Sequence, residues 1–205
     1  IKTPNDQLPL FNGAKITKLD QIEKYLDGFK SKNKKSNFGG LFKIKHKNHF
    51  LLIDVDKPPK KKFSKSYQSG PLSFEYFLDG IKIITNSGFG SHISKKTELL
   101  SRLTACQSTL TINETSITKF ERNEMINKVF GNSIQDSFKS FDYSSKYEDD
   151  LIGCTSSNNG YEKKFGCTHK REIYLDKINN YLKGTDHILK TKNGYPIHSL
   201  LQLDS

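Results

Sequence analysis

The sequence predicts a mainly β protein, an antiparallel two-sheet β-sandwich with a short N-terminal helix. Three observations carry this. Leu, Ile, Val and Phe together exceed the roughly 20% below which chains of this charge stay disordered, so there is a core to build. Most apolar residues fall in short runs with β-like alternation, punctuated by turn residues. One hairpin is explicit: Leu72, Phe74, Tyr76 and Leu78 alternate, Asp79-Gly80 suits a two-residue turn, and Ile81 to Ile84 returns.

The elements follow in order. Leu8 to Phe11 is an extended apolar stretch closed by Asn12-Gly13. Thr17 with Asp20 has capping-box spacing, and Leu19, Ile22, Leu26 and Phe29 recur at helical spacing, predicting the one short helix. The polar run Lys30 to Ser36 reads as a connection, so residues 1–36 lead into a sandwich domain at 37–205. Leu41 to Lys45 and Phe50 to Val55 form a hairpin about Lys47-Asn48. The basic loop Lys57 to Lys62 follows, where Pro58 and Pro59 forbid ladder pairing. Further strands are expected at Ser108 to Ile112, Ile117 to Phe120, Phe165 to Leu175, Tyr181 to Leu189 and, after Asn193-Gly194, Tyr195 to Leu203. The polar stretch Phe130 to Gly160 reads as a long exposed loop.

Charge and motifs narrow the function classes. A net charge of +11 favours a polyanionic partner, although solvated lysine faces account for it equally well. Cys106, Cys154 and Cys167 have neither paired spacing nor accompanying His, which argues against a disulfide framework or a zinc knuckle. Walker, dinucleotide, HExxH and GxSxG motifs are absent. Phe63, Tyr67 and Lys60 to Lys65 interleave aromatic and basic residues, but no nucleic-acid-binding scaffold accompanies them, so nucleic acid is set aside as a partner. His46 and His49 near a turn read as exposed, and His169 as a hydrogen-bonded strand residue. No apolar run is long enough to span a membrane, and the chain opens on Ile1, as a processed product or an excised piece of a longer protein would.

A series of segments then carries a resemblance. In order they are Gly39-Gly40-Leu41-Phe42-Lys43-Ile44, Leu51-Leu52-Ile53-Asp54-Val55-Asp56-Lys57-Pro58-Pro59, Ser69-Gly70-Pro71-Leu72-Ser73-Phe74-Glu75 and Ile84-Thr85-Asn86-Ser87-Gly88. Thr104-Ala105-Cys106-Gln107-Ser108-Thr109-Leu110 and the run Gly160 to Arg171 complete it. From about Leu8 to Leu189 the chain resembles the C-terminal β domain of heparinase II/III-like proteins. The resemblance implies a bacterial polysaccharide lyase in which an N-terminal helical toroid, absent from this chain, faces the sandwich across a cleft. It further implies β-elimination of uronate-containing glycans and a periplasmic location. Such chemistry needs a base for the C5 proton, donors toward the uronate carboxylate and an acid for the leaving oxygen.

Departures from the family pattern bear on that chemistry. Gln68, Asn86 and Gln107 stand where the resemblance implies zinc ligands, and Ser66 where it implies a catalytic His. Neutral amides are poor zinc ligands, so the expectation is no metal, no cofactor and a hydrogen-bonded amide cluster in the metal's place. His169 and Arg171 match a recurrent His-x-Arg strand and are read as structural. Lys60, Lys61, Lys62 and Lys65 are the candidate contacts to an acidic polysaccharide. The expected function is the C-terminal domain of a polysaccharide lyase, inactive by itself and partnered by the helical domain of the same parent. The alternative is a non-catalytic binding or structural module that has lost metal and His.

Overall fold

The computed structural model describes residues 2–14 and 37–191. The helix expected at 17–29, the connection at 30–36 and the final turn and strand at 193–203 lie outside the described residues.

Two antiparallel sheets form the domain, each a meander in chain order. The first contains β1 (Asn37–Phe38), β2 (Leu41–His46), β3 (His49–Asp54), β4 (Phe74–Leu78) and β5 (Ile81–Ile84). The second contains β6 (Ser140–Tyr147), β7 (Leu151–Asn158), β8 (Cys167–Asp176) and β9 (Tyr181–Lys190). The β4–β5 turn places Asp79 at φ 51° and Gly80 at φ 77°, the two positive values that a tight twisted hairpin demands.

Between the sheets, Phe42, Ile44, Leu51, Ile53, Phe74 and Tyr76 of the first meet Cys154, Ile173 and Leu175 of the second. β3 is buried along its whole length because its other face is covered too, with Phe11 of the N-terminal segment packing on Phe50, Leu52 and Phe77. The extended stretch expected at Leu8 to Phe11 therefore caps the outer face of the first sheet. β8 alternates strictly, sending Cys167, His169, Arg171, Ile173 and Leu175 inward.

Four expectations are corrected. His49, read as exposed, is buried, with its Nδ1 hydrogen-bonded to the Tyr76 hydroxyl. Residues 130–160 are no exposed loop, for they hold β6 and β7, and Gly153 to Asn158 of β7 are buried. Ser108 to Ile112 and Ile117 to Phe120 are not ladder strands; among the described residues they make only the isolated bridges Ile112 to Thr115 and Phe120 to Ile134. Phe165 ends a one-turn helix, and β8 starts at Cys167. Helices α1 (Lys95–Leu100), α2 (Glu124–Phe130) and α3 (Glu162–Phe165) punctuate the loops; Ser94 and Asn123 cap the first two by accepting backbone N–H bonds.

Candidate functional site

The loops between β3 and β4 and between β5 and β6 form a hydrogen-bonded layer at one end of the first sheet. Asp54 closes β3, and its backbone N–H donates to the Ser73 carbonyl while its carbonyl accepts from Leu72. That pairing holds buried Leu72 at φ 60°, a left-handed conformation costing a bulky residue about 1–3 kcal/mol. The returning chain is fixed by close approach as well. A Cβ on Gly70 would stand 2.8 Å from Cγ of Gln107, so only glycine lets the two segments touch.

Gln68, Asn86 and Gln107 are brought into this layer, all buried. The Gln68 side-chain amide donates to the carbonyls of Gly88 (3.0 Å) and Ser101 (3.2 Å), and its oxygen accepts from Gly13 N–H. Gln107 donates to the same Ser101 carbonyl at 2.8 Å. Asn86 accepts from the backbone N–H and hydroxyl of Ser108, the residue after Gln107. Gln68 and Gln107 meet at the shared Ser101 carbonyl, Asn86 binds only the neighbouring Ser108, and no hydrogen bond joins one amide directly to another among the described residues, so the expected amide-to-amide cluster is not formed. The amide N–H ends of both glutamines face a carbonyl, Asn86 Nδ2 is buried without a partner, and no cluster of three His, Cys, Asp or Glu exists among the described residues. Zinc needs converging lone pairs from anionic or imidazole ligands, and these side chains do not fit it. After equilibration with zinc and desalting, the chain is expected to retain far less than one zinc per molecule, with a melting temperature indifferent to EDTA. Stoichiometric zinc that is lost on Gln68→Ala would contradict this.

Beneath that layer, Arg171 joins the two sheets. Its Nε and Nη2 bind both oxygens of Asp186 at 2.7 Å, while Nη1 donates to the carbonyls of Leu72 and Ser108. His169 Nε2 donates to Asp186 at 2.7 Å, and Nδ1 accepts from Asn158. Burial lowers the His169 pKa and favours the neutral imidazole. Burial pushes Asp186 the other way, but the hydrogen bonds from His169 and Arg171 outweigh it and hold the carboxylate well below its usual range. This trio anchors the strained Leu72 turn and the 107–108 segment. His169 is fully enclosed and has no access to a ligand.

The lysine loop lies elsewhere on the layer. Lys60, Lys61, Lys62 and Lys65 are exposed. Lys60 borders a cavity of about 360 Å³ lined also by Asn12, Asp54, Asp56, Lys57, Phe63, Ser66 and Tyr67. Phe63 is 67% exposed and Lys62 Nζ lies 4.8 Å from its ring centroid. Asp54 accepts from Asn12 Nδ2 at 3.3 Å and from Asp56 N–H at 3.2 Å. Sequence reasoning missed Asp54 as a site residue; a carboxylate inside the apolar run Phe50 to Val55 was the available signal. It also missed Arg102, fully buried and donating to the carbonyls of Tyr67 and Ser64, each at 2.8 Å. Ser66, between those carbonyls in sequence, is thus held at the cavity wall.

Comparisons with known proteins bear on the fold. Residues 31–203 match the family model described as "Heparinase II/III-like, C-terminal". A search of curated proteins found no match. Among solved structures, heparan sulfate lyase HepC from Pedobacter heparinus aligns with TM-score 0.65 at 18% identity over 93% of this chain and 31% of its own. The structure titled "Heparinase III-BT4657 gene product" aligns with TM-score 0.67 at 16% identity over 95% of this chain and 31% of its own. At these identities the likeness shows the fold, and the chain spans about a third of the length of either structure. Two stacked antiparallel meanders and a family match over most of the sequence lead to one conclusion: the chain belongs to the heparinase II/III-like family and corresponds to its C-terminal domain.

Proposed function

We propose that this domain forms one wall of a cleft for an acidic, uronate-containing polysaccharide within a larger lyase chain, with a helical domain of the same parent supplying the opposite wall. One observation carries the reading: exposed Lys57, Lys60, Lys61, Lys62 and Lys65 cluster on the loop beside a polar cavity, next to an exposed aromatic face at Phe63. Lysines there raise the local concentration of a polyanion, and an apolar ring accepts the C–H face of a sugar. In β-elimination the C5 proton passes to a base, its electron pair forms the C4=C5 bond, and the C4–O4 bond breaks as the leaving oxygen gains a proton. The sandwich contributes positioning and charge to that step. The base belongs to the rest of the parent in this reading, because Ser66 is no proton acceptor at neutral pH and His169 is enclosed.

A second reading, a non-catalytic binding module, is favoured by Ser66 and by the amides at positions 68, 86 and 107. Incubating the full-length parent with heparan sulfate and watching for ultraviolet absorbance of the unsaturated product separates the two. Binding without product selects the module. For this chain, Lys60→Glu/Lys61→Glu/Lys62→Glu is expected to weaken heparan sulfate binding by at least about tenfold at low salt, with the difference shrinking as salt rises. Unchanged affinity in a variant that melts normally would remove the loop from the site.

A further inference from the structure

Asp54 is a buried carboxyl, 6% exposed, that lines the cavity beside the lysine loop. No ion pair reaches it among the described residues. Its two accepted hydrogen bonds, from Asn12 and from the Asp56 backbone, are long and uncharged. The charged and titratable groups around it are Asp56 and Lys57 just after β3, Lys60 from the loop and Tyr67 from the segment leading to β4. Among the described residues the N-terminal segment contributes neutral Asn12, and the β2 residue paired with Asp54 is Leu41. A carboxyl so placed offers a ligand two different faces. As an acid it is a hydrogen-bond donor at the cavity wall, and as an anion it is a buried negative charge opposing any anionic ligand.

We propose that Asp54 is a protonation gate on the polysaccharide site, admitting an acidic sugar unit when it is protonated and opposing it when it is ionised. The inference rests on the polysaccharide reading above and adds a control to it. The ligand's carboxylate or sulfate meets Lys57 and Lys60 at the cavity edge, while its ring oxygens and hydroxyls meet the Asp54 acid, Asn12 and Ser66. Burial raises the Asp54 pKa to about 7, aided by the negative charge of Asp56 and only partly opposed by the two hydrogen bonds. The acid form is therefore populated near neutral pH, where an ordinary aspartate would be fully ionised.

The experiment is calorimetric titration of the 205-residue chain with a heparan sulfate tetrasaccharide between pH 6 and pH 8. If only the acid form binds, the competent fraction falls from about nine-tenths to about one-tenth, and the apparent Kd rises about tenfold. Asp54→Asn keeps an acceptor for Asp56 N–H and a donor for the cavity, so its affinity should be flat with pH. Asp56→Asn should retain the slope. Equal slopes in wild type and Asp54→Asn overturn the gate while leaving the polysaccharide site intact. No binding by the wild type at any pH overturns the polysaccharide reading and the gate's ligand with it. A second measurement needs no variant. The Asp54 carboxyl carbon shift, followed by NMR, should titrate near pH 7 and move to higher pH when the tetrasaccharide is bound, because coupling between proton and ligand is reciprocal. A midpoint that the ligand leaves unmoved overturns the proposal.

Discussion

Asp186→Asn is expected to destabilise the domain by about 3–5 kcal/mol, the cost of leaving a buried cation without its partner. For a domain of this size that is a fall of about 6–20 °C in melting temperature. The reason is geometric. Arg171 spends Nε and Nη2 on Asp186, and only Nη1 is left for the Leu72 and Ser108 carbonyls. With the carboxylate replaced by a neutral amide, a guanidinium enclosed between the sheets loses its counter-charge and faces an N–H in place of one accepting oxygen, leaving it the two carbonyls, one amide oxygen and the Phe74 ring, 5.2 Å away. Replacing both ends of the pair with apolar residues, Arg171→Met with Asp186→Leu, removes the stranded charge but strands the two carbonyls and the His169 Nε2–H instead. That double variant should remain about 2–4 kcal/mol less stable than wild type. Recovery to wild-type stability in urea melts would show that Arg171 acts as an ion-pair partner alone and does not hold the Leu72 turn.

The pH dependence of the same cluster has a definite sign. The Asp186 pKa is depressed in the folded state, so its contribution is complete above the ordinary carboxylate value and is lost as pH falls toward its folded value. His169 is also depressed, being held neutral, so folding is further penalised as pH falls below about 6.5, where the unfolded imidazole takes a proton. Asp54 runs the other way, because its pKa is raised to about 7 and stability declines between about pH 4 and pH 7 as the unfolded carboxyl ionises first. Acid unfolding of wild type should therefore be steeper than that of Asp186→Asn.

The parts of the fold that the sequence displays are those whose hydrogen-bond partners lie close along the chain. The β4–β5 hairpin was readable because Asp79-Gly80 is chemistry that a positive-φ turn requires, flanked by strict alternation. β7 was not, since its buried positions are Gly153, Cys154, Thr155, Ser156, Ser157 and Asn158, among which Cys154 alone is apolar. β6, almost wholly exposed at the sheet edge, has Phe141, Tyr143 and Tyr147 but no sustained alternation to announce a strand. The segments 108–112 and 117–120 look like strands but have no strand beside them. Side chains serve their backbone instead: Ile112 N–H donates to the Tyr161 hydroxyl, Ile117 N–H to Thr104, Thr118 N–H to Ser69 and Lys119 N–H to Asp136. Alternation alone cannot distinguish such loops from a ladder.

The site was legible to a similar extent. Positions 68, 86 and 107 were grouped by family resemblance, and the lysine loop by charge, but what holds the layer together was invisible. Arg102, Gln68 and Gln107 bind mostly backbone carbonyls, and a carbonyl has no residue identity to read. Asp186 meets Arg171 through strand register, Arg171 opposite Asp186 in the β8–β9 pairing, which a sequence does not state.

Arg102→Ala should be comparably damaging, at about 3–5 kcal/mol, and for a different reason. Arg102 is fully buried with no acidic partner among the described ion pairs, and burial lowers its pKa to about 10, so it stays a cation at neutral pH. Two carbonyls and the face of Phe120, 4.0 Å from the guanidinium carbon, take the place of a counterion. Truncation leaves a cavity and strips donors from Ser64 and Tyr67, the residues that bracket Ser66 at the cavity wall. Arg102→Met separates these effects, for it refills most of the volume and relieves the buried charge but supplies no donor. It should still cost about 2 kcal/mol and should speed amide exchange selectively in residues 64–70, with the β8–β9 ladder unaffected. A methionine variant as stable as wild type, with the 64–70 amides equally protected, would mean that packing alone holds the segment and that the guanidinium does not position the cavity wall.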